Sequence, residues 1–505
     1  MNDQRAAPAA VDRAATGVAG LDQVLGGGLT RDRLYVVEGV PGAGKTTLAL
    51  QFLMEGVRLG EPVLYVTLSE TEEEMQEVAA SHGWSLDGVN LREVIPTEAS
   101  LSPDQQYTVF HPSEVELGEA TREILAEVER TRPTRVVFDS LSELRLLAGN
   151  ALRYRRQVLA LKRFFAGRGC TVLVLDDQTD STRDLQVQSI AHGVVELDML
   201  APEFGMERRR LRVVKFRGAH YRGGYHDFVI RRGGIVCFPR LVAADRRRNF
   251  TLRPQSTGIA ELDHLLAGGL ETGTSTLIAG GAGSGKSTLA AQIAAAAVER
   301  GERAAMFLFD ESCNTLFARA ESLGIRLREH HESGSLEIEQ VDPAELSPGE
   351  FADRVRAAAD DRHCTVIVID SLNGYMHAMP EERFLILQLH ELLTYLGQLG
   401  VVTIMVGVQH GWVTTDGTTP GDVTYLADAV LLLRHFEAAG EVRQALSIVK
   451  KRGGMHERTI REFQLLPGHI RVGEPLRDFH GVLTGVPTYM GGSEPLLPSE
   501  GSSHG

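Results

Sequence analysis

Apolar residues recur along this chain in short blocks separated by amphipathic stretches. LYVVEG at Leu34–Gly39, PVLYVTL at Pro62–Leu68, RVVFD at Arg135–Asp139 and CTVLVLD at Cys170–Asp176 are too uniformly apolar to leave one face wet. They predict strands buried on both faces of a parallel sheet. Between them, TLALQFLMEGV at Thr47–Val57 and TREILAEVERT at Thr121–Thr131 carry helical periodicity. Strands alternating with helices indicate an α/β fold, a mostly parallel sheet flanked by helices. Later runs, VVELDMLA, RRLRVVKF and YHDFVIRRGGIVCF, are expected as antiparallel additions at one sheet edge.

The same succession returns in the second half. STLIAG, RAAMFLF, TVIVID and VVTIMVG are its strand candidates, and TLAAQIAAAAV and FADRVRAAADD its helix candidates. TGVAGLDQVLGGGL at Thr16–Leu29 matches TGIAELDHLLAGGL at Thr257–Leu270, while VVFDSLSEL answers VIVIDSLNGY and VVKFRG answers SIVKKRG. The repeated unit is a whole domain. The expected divisions are an N-terminal arm over 1–15, a first domain over 16–240, a linker over 241–256, a second domain over 257–483 and a disordered tail over 484–505.

Each copy carries a glycine-rich loop between its first strand and first helix. In the first copy this is Gly39, Val40, Pro41, Gly42, Ala43, Gly44, Lys45, Thr46 and Thr47. In the second it is Gly280, Gly281, Ala282, Gly283, Ser284, Gly285, Lys286, Ser287 and Thr288. Glycines let the backbone N–H groups curl toward an anion, and the loop opens a helix whose N-terminus points at it. Lys45 and Lys286 are expected on the β- and γ-phosphates of ATP, with Thr46 and Ser287 on Mg²⁺. Asp139 and Asp370 end apolar strands and are each followed by serine, the setting for a carboxylate that orients Mg²⁺ through water.

A formal net charge of −15 weighs against a nucleic-acid partner, and Arg246-Arg247-Arg248 reads as a solvated linker. Cys170, Cys237, Cys313 and Cys364 are widely separated, without metal-ligand spacing, and read as small hydrophobes in a reducing compartment. The opening MNDQRAAPAAVDRAA lacks the apolar core of a signal peptide, and no apolar run is long enough to span a bilayer. A soluble, cytoplasmic protein is the expectation. His330-His331 reads as a surface loop, Met376, Met379 and Trp412 as packing or interface residues, and Pro96–Gly118, with Tyr107, Phe110 and His111, has no aligned counterpart in the second half.

Taken together, the tandem loops, the TGxxxLDxxLxGGL signature before each, VIDSLNGYMHAMPEE and KKRGGMHERTIREF resemble the KaiC family of RecA-fold ATPases over about Val11 to Pro487. The resemblance implies two tandem RecA-like domains, ATP and Mg²⁺ as cofactors, and a two-tier homohexamer with nucleotide between neighbouring subunits. It also implies signalling or clock-type protein partners and serine/threonine autokinase activity in the second domain. The family's paired glutamates after the second strand correspond to Ser69-Glu70 and Asp310-Glu311, so Glu70 and Glu311 are the expected bases, with Asp310 as a further candidate. Lys215 and Arg217, and Lys450 and Arg452, match its KxRG pattern, whose cations act on the adjacent subunit's γ-phosphate. Where autokinase members carry a Ser-Thr pair this chain has Thr424-Tyr425, making Thr424 the candidate phosphoacceptor. Two other classes stand beside this reading: a RecA-type recombinase or helicase motor, and a nucleotide-gated signalling scaffold.

Overall fold

The computed structural model describes residues 12–94, 112–148, 150–177, 185–202, 205–245, 247–377, 384–408, 424–438, 440–482 and 488–489. Tyr107, Phe110, His111, Arg246, Met379 and Trp412 lie outside them. The chain divides into two compact units, one up to Arg240 and the other from Leu241.

The first unit is built on β1 (Leu34–Gly39), β2 (Val63–Thr67), β3 (Val89–Glu93), β4 (Arg135–Asp139), β5 (Thr171–Asp177), β6 (Gly193–Leu200), β7 (Arg208–Phe216), β8 (His226–Arg231) and β9 (Gly234–Phe238). They form one nine-stranded sheet in the order β3-β2-β4-β5-β1-β6-β7-β8-β9. The strands from β3 to β6 are mutually parallel, and β7, β8 and β9 turn back antiparallel. VVELDMLA thus differs from expectation, because β6 pairs parallel with β1. Its apolar start explains this: Val194 packs on one face of the sheet while Val195 and Leu197 pack on the other, which suits an interior strand.

The second unit repeats the plan with β10 (Ser275–Gly280), β11 (Ala304–Leu308), β12 (Leu336–Gln340), β13 (Val366–Asp370), β14 (Val402–Val408), β15 (Ala429–Ala438), β16 (Glu441–Lys451), β17 (Ile460–Leu466) and β18 (His469–Pro475). Their order is β12-β11-β13-β14-β10-β15-β16-β17-β18, the first sheet's order strand for strand.

Each sheet is covered on both faces. Tyr35 and Val37 of β1 face Leu50, Phe52 and Leu53 of α1 (Lys45–Arg58). Leu34 and Val36 face the other way, onto Ile124, Leu144 and Phe165. In the second unit Ile278 packs toward Leu289 and Ile293 of α2 (Lys286–Glu299), and Leu277 toward Phe351 and Leu389. This alternation fixes which face of the sheet carries the helix that follows each glycine-rich loop.

Several edges differ from the expected divisions. Arg13 and Ala14 pair with Thr30 and Leu29, and Pro254 and Gln255 with Glu271 and Leu270. Leu241 and Ala243 join the second unit's core. Thr488–Tyr489, in the expected tail, pairs with Phe479–His480. His330 and His331 lie on a short helix, Leu327–Glu332, where His331 Nδ1 is 3.1 Å from the Leu336 carbonyl. The end of the unaligned Pro96–Gly118 segment opens the helix Pro112–Thr131, which follows β3 as Pro348–Asp360 follows β12. Cys170, Cys237 and Cys364 are buried and Cys313 is half-buried, all as free thiols. Among the described residues no helix is long and apolar enough to cross a membrane.

Candidate active site

Both glycine-rich loops leave the carboxyl end of a central strand and enter a helix directly at lysine. Gly44 precedes α1 with φ +100°, a conformation that side-chain-bearing residues rarely hold, and a Cβ there would stand 2.7 Å from Ile230 Cδ1. Gly285 repeats it at φ +94°, against Phe463. Torsion therefore favours glycine in both loops, and at Gly285 the Phe463 ring adds a limit of space.

Lys45 is buried and folds back across its own loop. Its Nζ donates to the carbonyls of Gly39 and Val40, both at 3.0 Å, and forms an ion pair with Asp177 Oδ1 at 2.7 Å. Lys286 Nζ donates to the Gly281 carbonyl at 2.7 Å. Thr46 Oγ1 lies 3.3 Å from Asp139 Oδ2, so the helix hydroxyl and the β4 carboxylate meet although they are far apart in sequence. Tyr65 donates to the same oxygen at 2.5 Å. Burial, countered in part by Tyr65, raises the Asp139 carboxyl above its ordinary value. Burial likewise pushes Asp370 up to about 6, against a hydrogen bond from Ser287.

These hydroxyl and carboxylate oxygens suit Mg²⁺, a hard cation that takes oxygen ligands. Asp370 Oδ2 is buried without a hydrogen-bond partner, an unbalanced acceptor that a cation would balance. The residues present therefore fit the metal that the fold implies.

Glu70 follows β2, with its backbone fixed by Thr67, whose Oγ1 donates to the Glu70 carbonyl and accepts from the Glu70 N–H, both at 2.9 Å. Its Oε2 is buried and unpartnered. Burial first, then the charges of Asp139, Glu74 and Asp177, raise its carboxyl above the usual range. The second unit is wired differently. Glu311 is gripped by Arg319 through two bonds of 2.7 and 2.6 Å, and Asp310 accepts from Ser371 Oγ.

The four KxRG cations stand away from the loops of their own domains. Phe216 is level with Gly193, and Gly193 with Tyr35, so Lys215 and Arg217 flank the amino end of β1. At about 3.3 Å per residue, that is on the order of 13 Å along the strand from Gly39. Lys215 donates to the carbonyls of Gln188 and Ser189 at 2.6 and 3.2 Å, and Arg217 to that of Ser189 at 3.0 Å. In the second unit Lys450 donates to the carbonyls of Thr424 and Ala427 at 2.9 and 2.6 Å, and Arg452 to that of Tyr425 at 2.8 Å. Thr424 is half-buried at the same amino end, since Asp428 N–H donates to the Ser275 carbonyl at the start of β10.

Sequence reasoning brought together the loops, Thr46 and Asp139, but missed Tyr65, Asp177 and Arg319. Comparing the repeats exposes them: Met306 stands at Tyr65's place in β11, Val408 at Asp177's place in β14 and Val78 at Arg319's.

The KaiC ATPase family model matches residues 14–242 and again 255–477. The circadian clock protein KaiC3 of Synechocystis sp. is 25% identical over 491 residues, covering 96% of this chain and 96% of that protein. The circadian clock oscillator protein KaiC of Thermosynechococcus vestitus is 26% identical over 486 residues, covering 95% and 92%. That of Synechococcus elongatus is 25% identical over 484 residues, covering 95% and 92%.

Proposed function

The chain belongs to the KaiC family of ATPases, with two tandem domains, and on that premise we propose that both domains bind and hydrolyse Mg²⁺-ATP at sites completed by a neighbouring copy. Lys45 and Lys286 hold the β- and γ-phosphates. Thr46 with Asp139, and Ser287 with Asp370, hold Mg²⁺, which when bound offsets phosphate charge. Glu70, and Glu311 or Asp310, take the proton of the attacking water, and the raised carboxyl of Glu70 suits a base working near neutral pH.

One observation carries the shared-site reading. In both domains the phosphate loop and the KxRG cations lie at opposite ends of the same sheet. On this reading Lys215 and Arg217 serve another protomer's phosphate, as do Lys450 and Arg452. A donor in trans stabilises developing charge and ties turnover to assembly. The assembly we propose is a two-tier homohexamer in the cytoplasm. The partners we propose are signalling or clock-type proteins, a reading supported by relatives named for the circadian clock.

Thr424 is the hydroxyl we propose for phosphate transfer to protein. It too sits at the amino end of the strands, so its donor is ATP held by a neighbour's Lys286. Sizing the purified protein with and without ATP, while hydrolysis is measured across dilution, tests the whole reading. A monomer of unchanged size whose specific activity is insensitive to dilution would refute it.

A further inference from the structure

We propose that Asp177 sets the difference in ATP affinity between the two sites, by fixing a negative charge beside the phosphate-loop lysine of the first domain. This rests on the reading that both loops bind nucleotide.

Asp177 is the last residue of β5 and pairs in register with Gly39, the first residue of the loop. Val408 pairs with Gly280 in the second domain, so the same place in the fold holds a carboxylate in one copy and an isopropyl group in the other. The backbones there are anchored alike. Asp177 N–H donates to Ser142 Oγ at 3.1 Å, and Val408 N–H to Asn373 Oδ1 at 2.6 Å. At this position the two copies differ in the side chain.

Asp177 Oδ1 lies 2.7 Å from Lys45 Nζ, with the lysine 8% exposed and the aspartate 30%. Water screens such a pair incompletely. A carboxylate in contact with the cation that must hold the β- and γ-phosphates lies within a few ångströms of those phosphates, and it opposes each added negative charge. ATP carries one more phosphate than ADP, so the penalty falls harder on ATP.

Of the other acidic residues at this end of the first sheet, Asp139 meets Thr46 Oγ1 at 3.3 Å, while three face away from the loop. Glu38, Asp176 and Glu196 stand in one row where the second domain has Ala279, Gly407 and Leu432. They are engaged on the opposite face from α1: Glu38 by Gln188 at 2.7 Å, Asp176 by Arg145 at 2.9 Å and Glu196 by Arg212 at 2.8 Å. Asp177 alone among these four pairs with the loop lysine.

If Asp177 merely held Lys45 in position, its removal would weaken binding, so the sign of the change decides. Full-length chains carrying Lys286→Ala report the first site, and those carrying Lys45→Ala the second, by calorimetric titration with ADP and with a slowly hydrolysed ATP analogue in Mg²⁺. In the first background Asp177→Asn, nearly isosteric, should tighten the ATP analogue about tenfold and ADP by less. In the second, Val408→Asp should weaken the analogue by a similar factor. Unchanged or weaker analogue binding in Asp177→Asn, or equal effects on ADP and the analogue, would overturn the proposal while leaving nucleotide binding intact. A first-site chain that binds neither nucleotide would overturn both this inference and the reading beneath it.

Discussion

Tyr65 and Asp139 share a hydrogen bond of 2.5 Å on the carboxylate oxygen that Thr46 Oγ1 approaches at 3.3 Å. The phenol is fully buried, and burial, then the Asp139 charge, holds it well above its ordinary value, so it is always the donor. Tyr65→Phe leaves Asp139 with one donor fewer. The loss of a bond to a buried carboxylate should cost on the order of 1–3 kcal/mol of first-domain stability. First-site turnover should fall, and second-site turnover should hold, because Met306 occupies the equivalent position. Hydrolysis assays in Lys286→Ala and Lys45→Ala backgrounds, with thermal unfolding of each, separate the two effects.

The opposite-end placement of Lys45 and Arg217 makes complementation measurable. Arg217→Ala and Glu70→Gln protomers should each lack first-tier activity, and their mixture should recover part of it, since some junctions pair an intact loop with an intact cation. Activity that stays absent at every mixing ratio would reject the shared site. Because Arg217 also holds the Ser189 carbonyl, Arg217→Lys serves as the control for the fold of that turn.

Phosphate on protein should appear at Thr424. After incubation with ATP and Mg²⁺, intact-mass and peptide measurements should find it there, and it should disappear in Lys286→Ala. An unmodified mass under turnover conditions would leave the second domain an ATPase only. Tyr425, although exposed, presents a longer and differently placed hydroxyl, and should stay unmodified.

His226 should make the first domain acid-labile. Its Nδ1 accepts from the Arg240 N–H at 2.9 Å, so Nε2 carries the proton and donates to the Arg222 carbonyl at 3.0 Å. Burial, aided by the nearby charges of Arg222 and Arg240, lowers its value to about 4. An unfolded histidine takes up a proton near 6.5. Between those values the unfolded chain binds more protons, so stability is full above the unfolded value and is lost as pH falls toward 4. The loss should reach on the order of 3 kcal/mol. His226→Gln, which keeps one acceptor and one donor, should flatten the first domain's denaturant midpoint between pH 7 and 4.5, and an unchanged slope would discount His226.

Much of this was legible before any coordinates. The duplicated signatures give the repeat, and uniformly apolar runs give the parallel strands, because a strand buried on both faces has no polar side to display. β6 departs from the antiparallel expectation because its apolar start is buried on both faces, as an interior strand requires. Tyr65 and Asp177 escaped for another reason: each acts across strands distant in sequence, where only register brings it to its partner, while Arg319 reaches Glu311 from the following helix, eight residues on. Asp177 becomes visible once β5 is laid beside β1, and its meaning once Val408 is found in the same place.

The separation of Gly39 from Arg217 along one sheet also has a bearing on size. On the proposed shared site, a protomer that offers its acceptor at one end and its donor at the other would join its copies front to back, and such a contact carries no internal stopping rule. Any open row leaves its terminal member with a loop that nothing serves. Only closure removes that idle end, so activity per protomer should climb with length and level off when the row meets itself. A substitution that changes the angle between neighbours, without touching a single nucleotide contact, would yield filaments rather than a ring.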